Sequence, residues 1–300
     1  MKSHHLLFIF LLSAVPLKAQ NTLFYQCDSL LDAYYETRNY ETLIRDWTAL
    51  PTDSIPGLEH VGILGIMLDR YDTLHARQTM DHLTRKYGFD VKTYLSLLHI
   101  RHSCFDSART DSLYQVWHKA QGAERHEINR AVQAFREREY IVYQTYMKSD
   151  RSQKIEKQEE FLSDLDSLFE HLMTLCERQG FLPNTETNGY GNDVSLQLMH
   201  ILAEANAWEE KWCRIHPYIH TAFQKGKISN SYFFIYDREA YTRRQCQCFG
   251  TFDDRVPFCE SMCGEDAAAL KALRKTYLIE QADSFLQRNA YWLSAIESQP

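Results

Sequence analysis

The chain has 300 residues, 44% of them hydrophobic and 24% charged, with only 11 Gly and 7 Pro, a composition that excludes disordered, collagenous and low-complexity chains. Length alone allows roughly two domains, each large enough to bury a core. Its 33 Lys and Arg against 40 Asp and Glu leave a net charge of −7, a poor match to a phosphate backbone, so no nucleic-acid partner is expected.

Residues 1–19 read MKSHHLLFIFLLSAVPLKA: Lys2, then an apolar run from Leu6 to Leu12, then Leu17 and Ala19 at the −3 and −1 positions of a cleavage site. This pattern predicts a secretory signal peptide cut between Ala19 and Gln20, and a protein exported to a periplasm or beyond. The run is well short of the ~20 residues a spanning helix needs, and no later stretch approaches that length, so no transmembrane segment is expected in the mature chain. Cys27 does not follow the apolar run directly, which argues against a lipid anchor there.

Helical periodicity dominates the chain beyond the leader, and the expected fold class is all-α. Phe24, Cys27, Leu31 and Tyr34 recur at helical spacing, as do Phe161, Leu165, Leu168, Leu172 and Leu175. Between 20 and 122 the chain reads as helical hairpins. Asn39-Tyr40-Glu41-Thr42-Leu43 and Arg70-Tyr71-Asp72-Thr73-Leu74 lie 31 residues apart between helical stretches, as in a degenerate tetratricopeptide-type repeat. An ordinary helical bundle broken at Pro51, Pro56 and Gly57 explains the same residues. Residues 123–256 form the expected second domain, opening with a charged helix face over 124–160; Gly180 to Asp193 interrupts helicity with Pro183, Gly189 and Gly191. The best chance of a strand is Tyr232 to Tyr236. Residues 257–300 hold two cysteines and a terminal helix over Asp266 to Ile296, with Leu270, Leu273, Tyr277 and Phe285 on its apolar face.

Cys246, Cys248, Cys259 and Cys263 crowd into a C-x-C-x10-C-x3-C segment. Export favours oxidation, so mutual disulfides between the two clusters are expected, with an all-cysteine zinc site as the alternative. Cys176 and Cys213 read as buried free thiols.

Five elements then occur in order: Gly180-Phe181-Leu182-Pro183, His200 in Gln197-Leu198-Met199-His200, Gly226-Lys227-Ile228-Ser229, Asp237-Arg238, and Gln247-Cys248-Phe249-Gly250-Thr251. Over about residues 133–252 this resembles the bacterial domain-of-unknown-function family numbered 6624, whose pattern is Gly-Trp-Pro, Gln-His-Ala, Gly-Glu-Ile-Ser, Asp-Arg and Gln-x-Tyr-Gly-Thr-Gln. The chain departs from it at Phe181-Leu182, at Ile201-Leu202 after the histidine, and at Phe252, where the family carries Gln. The resemblance implies a mainly helical, exported domain; the family carries no assigned reaction.

His200, Asp237 and Arg238 are the candidate catalytic residues: a base near neutral pH, a carboxylate to orient it and a guanidinium to hold an anion. A structural polar network is the favoured reading of the same residues. Cys213, His216 and His220 have C-x2-H-x3-H spacing, which on a continuous helix aligns three metal ligands; Pro217 is expected to start a new helix and scatter them. His99 and His102 are read as surface residues. The chain has no G-x-x-x-x-G-K-[ST], G-x-G-x-x-G, G-x-S-x-G or H-E-x-x-H, so nucleotide, α/β-hydrolase and zincin chemistry is unsupported, and no cofactor is expected. The 18 Tyr, 16 Phe and 5 Trp are read first as core. The expectation is a non-catalytic binding or scaffold protein of the bacterial envelope with a protein or peptide partner; the alternative is an enzyme, of hydrolase type, using His200 and Asp237.

Overall fold

A computed structural model describes residues 23, 26–27, 29–55, 57–91, 106–252 and 255–277. The leader with its cleavage point, Phe24, His99, His102, Cys104 and the tail beyond Tyr277 lie outside them. The described chain is all-α, with one two-residue-per-strand hairpin. It divides into two compact units: the residues up to Asn129 together with Asn184–Asp193, and Arg130–Pro183 together with the residues from Val194 onward.

In the first unit a helical stretch over 29–37 leads to α1 (Tyr40–Thr48), a 3-10 turn (Thr52–Ser54), α2 (Gly57–Asp69), α3 (Thr73–Tyr87) and α4 (Ser107–Ala120). Three of these helix starts carry a side-chain cap. Asn39, Asp72 and Asp106 cap α1, α3 and α4, accepting from the backbone N–H groups of Thr42, His75 and Arg109 at 3.0–3.1 Å. Arg38 and Tyr71, with φ of 58° and 56°, precede two of these caps. Left-handed residue plus cap therefore recurs 33 residues apart, close to the period of a helix-hairpin repeat, and the true equivalence is Asn39 with Asp72. The Tyr-x-Thr-Leu likeness at 31 residues is out of phase with it. The joints also hold each other: the Tyr40 hydroxyl donates to Asp72 at 2.7 Å and Arg70 donates to the Tyr34 hydroxyl at 3.0 Å. Leu43, Trp47, Ile63, Met67, Leu83 and Tyr87 centre the core.

Gly88 ends α3 at φ 62°, and Gly189 lies at φ 89° beyond a short helix over Thr185–Asn188. A Cβ at either position would stand 2.5–2.6 Å from the Trp117 indole. Glycine is required twice here, for the backbone angle and for the ring lodged between them.

The second unit takes α5 (Ala123–Met147) from Arg130 onward and α6 (Arg151–Gln179), turning between them on an Asp150–Gln153 capping box. The stripe predicted at Phe161, Leu165, Leu168, Leu172 and Leu175 is buried throughout. The short helix of the first unit is α7 (Thr185–Asn188). After it come α8 (Ser195–Glu204), α9 (Trp208–Gln224), a 3-10 turn (Asn230–Phe233), α10 (Phe234–Arg244), the hairpin β1 (Ser261–Met262) and β2 (Glu265–Asp266), and α11 (Ala267–Thr276). Two expectations are corrected. Tyr232–Tyr236 is helical, not extended, because its aromatic rings pack inward as a cluster: Phe233 stacks on Tyr277 at 3.8 Å and meets Phe249 at 4.9 Å. Pro217 sits inside α9 and does not begin a helix. The helix continues through it because Trp212, Ile215, Ile219 and Phe223, on both sides of the proline, are buried on one face, and that burial outweighs the hydrogen bond the ring removes.

Candidate functional site

Val132, Phe135 and Glu139 occupy the inward face of α5 at i, i+3 and i+7, so a carboxylate takes a core position and is 1% exposed. Glu139 Oε1 lies 2.7 Å from Nδ1 of His200 on α8. The imidazole lies flat on the Tyr143 ring, centroids 3.9 Å apart and planes 3° from parallel. A carboxylate accepts, so Nδ1 donates, the tautomer is fixed, and Nε2 is left as the acceptor of the His200 ring. The His200 side chain is 21% exposed. One turn earlier on the same face, Gln197 is buried with its Oε1 unpaired.

Around this dyad, Glu239 on α10 is buried between Arg238 and Arg243, whose Nε atoms stand 3.9 and 3.7 Å from its carboxylate. Burial pushes the Glu239 carboxyl above the usual range, while both arginines pull it back. Arg243 also donates to the Ala203 carbonyl at 2.6 Å, placing a cation at the C-terminal end of α8. Burial raises the Tyr143 phenol, with Glu204 and Glu139 acting in the same direction and Arg238 against. The dyad is an imidazole oriented by a buried carboxylate, and Glu239 with its two arginines lies on α10, a helix packed against α8. The imidazole can exchange a proton at Nε2.

Asp237 does not join it. Fully buried, its Oδ1 accepts from the backbone N–H groups of Cys248 (2.6 Å) and Phe249 (2.9 Å), and its Oδ2 from Thr251 N (3.0 Å) and Thr251 Oγ1 (2.9 Å). Burial pushes its carboxyl up and these four donors pull it down, with burial the larger. Gln247 completes the arrangement: its Nε2 donates to the Val256 carbonyl and its Oε1 accepts from Phe252 N, both at 2.8 Å. The Asp-Arg and Gln-x-Phe-Gly-Thr elements are thus two halves of one loop clamp. Gly250, at φ 84°, supplies the turn between them. Phe252, at the departure from the family pattern, packs its ring against Tyr241 and Phe234. Gly180 and Gly226, from two further motif elements, close α6 and α9 at φ 78° and 62°.

The cysteine pairing differs from expectation. Cys246 bonds Cys259, between the two clusters as predicted, but Cys263 bonds Cys213 on α9, and Cys248 is a buried thiol. The backbone explains the choice. Gln247 N donates to the Pro257 carbonyl and Cys259 N to the Gln247 carbonyl, both at 2.9 Å, which sets Cys246 beside Cys259. Cys248 faces the opposite way, with its N–H on Asp237. Burial pushes its thiol up to about 12, so it is chemically quiet.

Continuity of α9 does align Cys213, His216 and His220, yet the trio is not a ligand set. Cys213 is spent in the disulfide, and the Tyr277 hydroxyl takes both imidazoles, at 3.0 Å from His216 Nε2 and 2.8 Å from His220 Nδ1. Burial lowers His216 to about 4 and also lowers His220, and raises the Tyr277 phenol. Among the described residues no three His, Cys, Asp or Glu side chains converge as a metal site, and no described helix is long and apolar enough to cross a membrane.

Sequence reasoning missed Glu139, Tyr143 and Glu239, and it placed Tyr277 on an apolar face without the two histidines its hydroxyl meets. The signal for Glu139 was available: an acid on the apolar phase of a helix. Comparison with protein-family models finds no match, and comparisons with curated proteins and solved structures find none either.

Proposed function

We propose that this is a non-catalytic binding or scaffold protein of the bacterial envelope, related to the unknown-function family its motif order resembles, that takes a protein or peptide partner on a helical-hairpin surface. The observation that carries this is the outer side of the α5–α6 hairpin. Tyr140, Ile141, Met147 and Ile155 are 61, 62, 45 and 70% exposed there. A cavity of about 250 Å³ opens between the helices, walled by Ile141, Val142, Tyr146 and Phe161 and edged by Lys157, Glu160 and Asp164. Apolar walls with a mainly acidic rim suit an apolar anchor side chain flanked by a basic residue. Two disulfides support an oxidising location, and the leader sequence supports export. That Asp237 is dry and committed to a loop speaks against the His200–Asp237 enzyme.

A random-peptide display library selected on the immobilised protein tests the proposal. Selected peptides should carry a large apolar residue beside Lys or Arg and lose at least tenfold in affinity to Ile141→Glu, a substitution at an exposed site. Peptides indifferent to that change would overturn it. The second reading rests on the carboxylate-oriented His200; turnover of a chromogenic ester or amide that His200→Ala abolishes would promote it.

A further inference from the structure

The first unit contains a pair of histidines that neither motif nor periodicity singled out. His60 on α2 and His82 on α3 face each other with ring centroids 4.6 Å apart and planes tilted by 48°. His60 is 1% exposed. Its Nε2 lies 3.2 Å from the Thr52 carbonyl, an acceptor only, so that nitrogen carries the proton and Nδ1 is a lone pair. Nδ1 is buried and has no partner. In His82 the Nδ1 faces Asp53 Oδ1 at 3.8 Å, and Nε2 is buried without a partner. His60 is thus anchored on a carbonyl through one nitrogen, His82 has a carboxylate near one nitrogen but beyond hydrogen-bond distance, and the other nitrogen of each ring is bare.

That division of labour is how metal-ligating histidines are held. The outer nitrogen meets a backbone carbonyl or carboxylate, which fixes tautomer and ring orientation while the inner lone pair binds the ion. The spacing agrees: with metal–nitrogen bonds of about 2.0–2.1 Å, two imidazoles in adjacent coordination positions hold their ring centres about 4.5–5 Å apart. The rings are also clamped from outside. Trp47 meets His60 edge-on at 5.7 Å and Tyr87 meets His82 edge-on at 6.1 Å, and the Tyr87 hydroxyl donates to the Ile55 carbonyl at 2.9 Å. We propose that His60 Nδ1 and His82 Nε2 are the two protein ligands of a divalent late-transition ion of the zinc or copper class, with water filling its remaining positions.

Charge narrows the choice of ion. Lys86 acts on both rings and Arg85 on His82, each opposing positive charge, and among the described residues Asp53 is the acid that favours it. Lys86 Nζ is bonded to the Asp53 carbonyl and lies 4.7 Å from the Tyr87 ring, so it is fixed in place. A hard cation such as magnesium or calcium, bound through charge and oxygen, gains nothing here, whereas zinc and copper gain from nitrogen coordination. The His82 side chain is 16% exposed, so the pair reaches solvent at one edge, that of Asp53.

Untagged protein titrated calorimetrically with zinc chloride alone at neutral pH should take up one ion through this pair, and the ion should raise the melting temperature. His60→Gln and His82→Gln should each abolish the uptake. Because replacing the buried His60 can by itself prevent folding, Asp53→Asn, at an exposed position, is the decisive companion: it should weaken zinc binding about 10- to 100-fold while leaving the metal-free melting temperature unchanged. Absence of uptake with zinc and with copper would leave a bridging water as the occupant and overturn the proposal. So would uptake that survives His82→Gln, or affinity that ignores Asp53→Asn.

Discussion

Replacing Asp237 by Asn keeps the shape of the side chain and inverts one of its hydrogen-bonding ends. Every contact of the carboxylate is with a donor: two backbone N–H groups on Oδ1, and an N–H and a hydroxyl on Oδ2. With the amide nitrogen in the Oδ2 position, the Thr251 hydroxyl can turn to accept, but Thr251 N cannot. One buried N–H is then orphaned, at about 1–3 kcal/mol, and the bonds that remain lose their charge assistance, about 1 kcal/mol each. Relief of a buried charge offsets part of this, because burial already pushes the Asp237 carboxyl upward. The expected net loss is about 2–4 kcal/mol; Asp237→Ala, which strands all four donors, should cost more. Urea unfolding followed by tryptophan fluorescence measures it. A double-mutant cycle with Thr251→Val should show coupling of about 0.5–3 kcal/mol, whereas His200→Ala, whose bonded partner is Glu139, should be additive with Asp237→Asn within about 0.5 kcal/mol. If Asp237→Asn leaves stability within about 0.5 kcal/mol of the parent and instead removes a ligand or an activity, the clamp is not what Asp237 is for, and it acts on a substrate.

The two disulfides close segments of 50 and 13 residues, so removing Cys213–Cys263 should cost about 4 kcal/mol and removing Cys246–Cys259 about 3 kcal/mol in the chain-entropy account; urea midpoints of the paired Cys→Ala variants that rank the other way would refute that ordering. Acid should destabilise both units. His60 and His216 fall from an ordinary 6.5 to about 4 in the folded chain, so between those values the unfolded chain binds more protons and stability drops as pH falls, by on the order of 3 kcal/mol for each group. Metal-free protein whose unfolding free energy is flat or rises from pH 6.5 to 4 would contradict the burial of these imidazoles.

What the sequence made legible was periodic or local. The α6 stripe from Phe161 to Leu175 and the breaks at Pro51 and Gly57 follow from spacing alone. The hairpin joints were visible but misaligned by two residues, since the deciding features, a left-handed residue and a side-chain cap, are backbone properties that a likeness of side chains does not report. Pro217 was misjudged because local propensity was weighed without the burial on both sides of it. The site was the least legible part. Glu139 and His200 are 61 positions apart and Cys213 and Cys263 are 50 apart; such pairings depend on which helices meet, and spacing within one segment carries no trace of that.

The smaller disulfide ring lies wholly inside the larger one, since Cys246 and Cys259 fall between Cys213 and Cys263. A protease that clips the chain once at the exposed Lys225, or at the exposed Arg255 inside both rings, releases no fragment: the cut ends stay tethered, and α10 remains attached with the loop it clamps. In surroundings rich in hydrolytic enzymes, a nicked molecule of this kind keeps its full mass and its second unit until a reductant arrives.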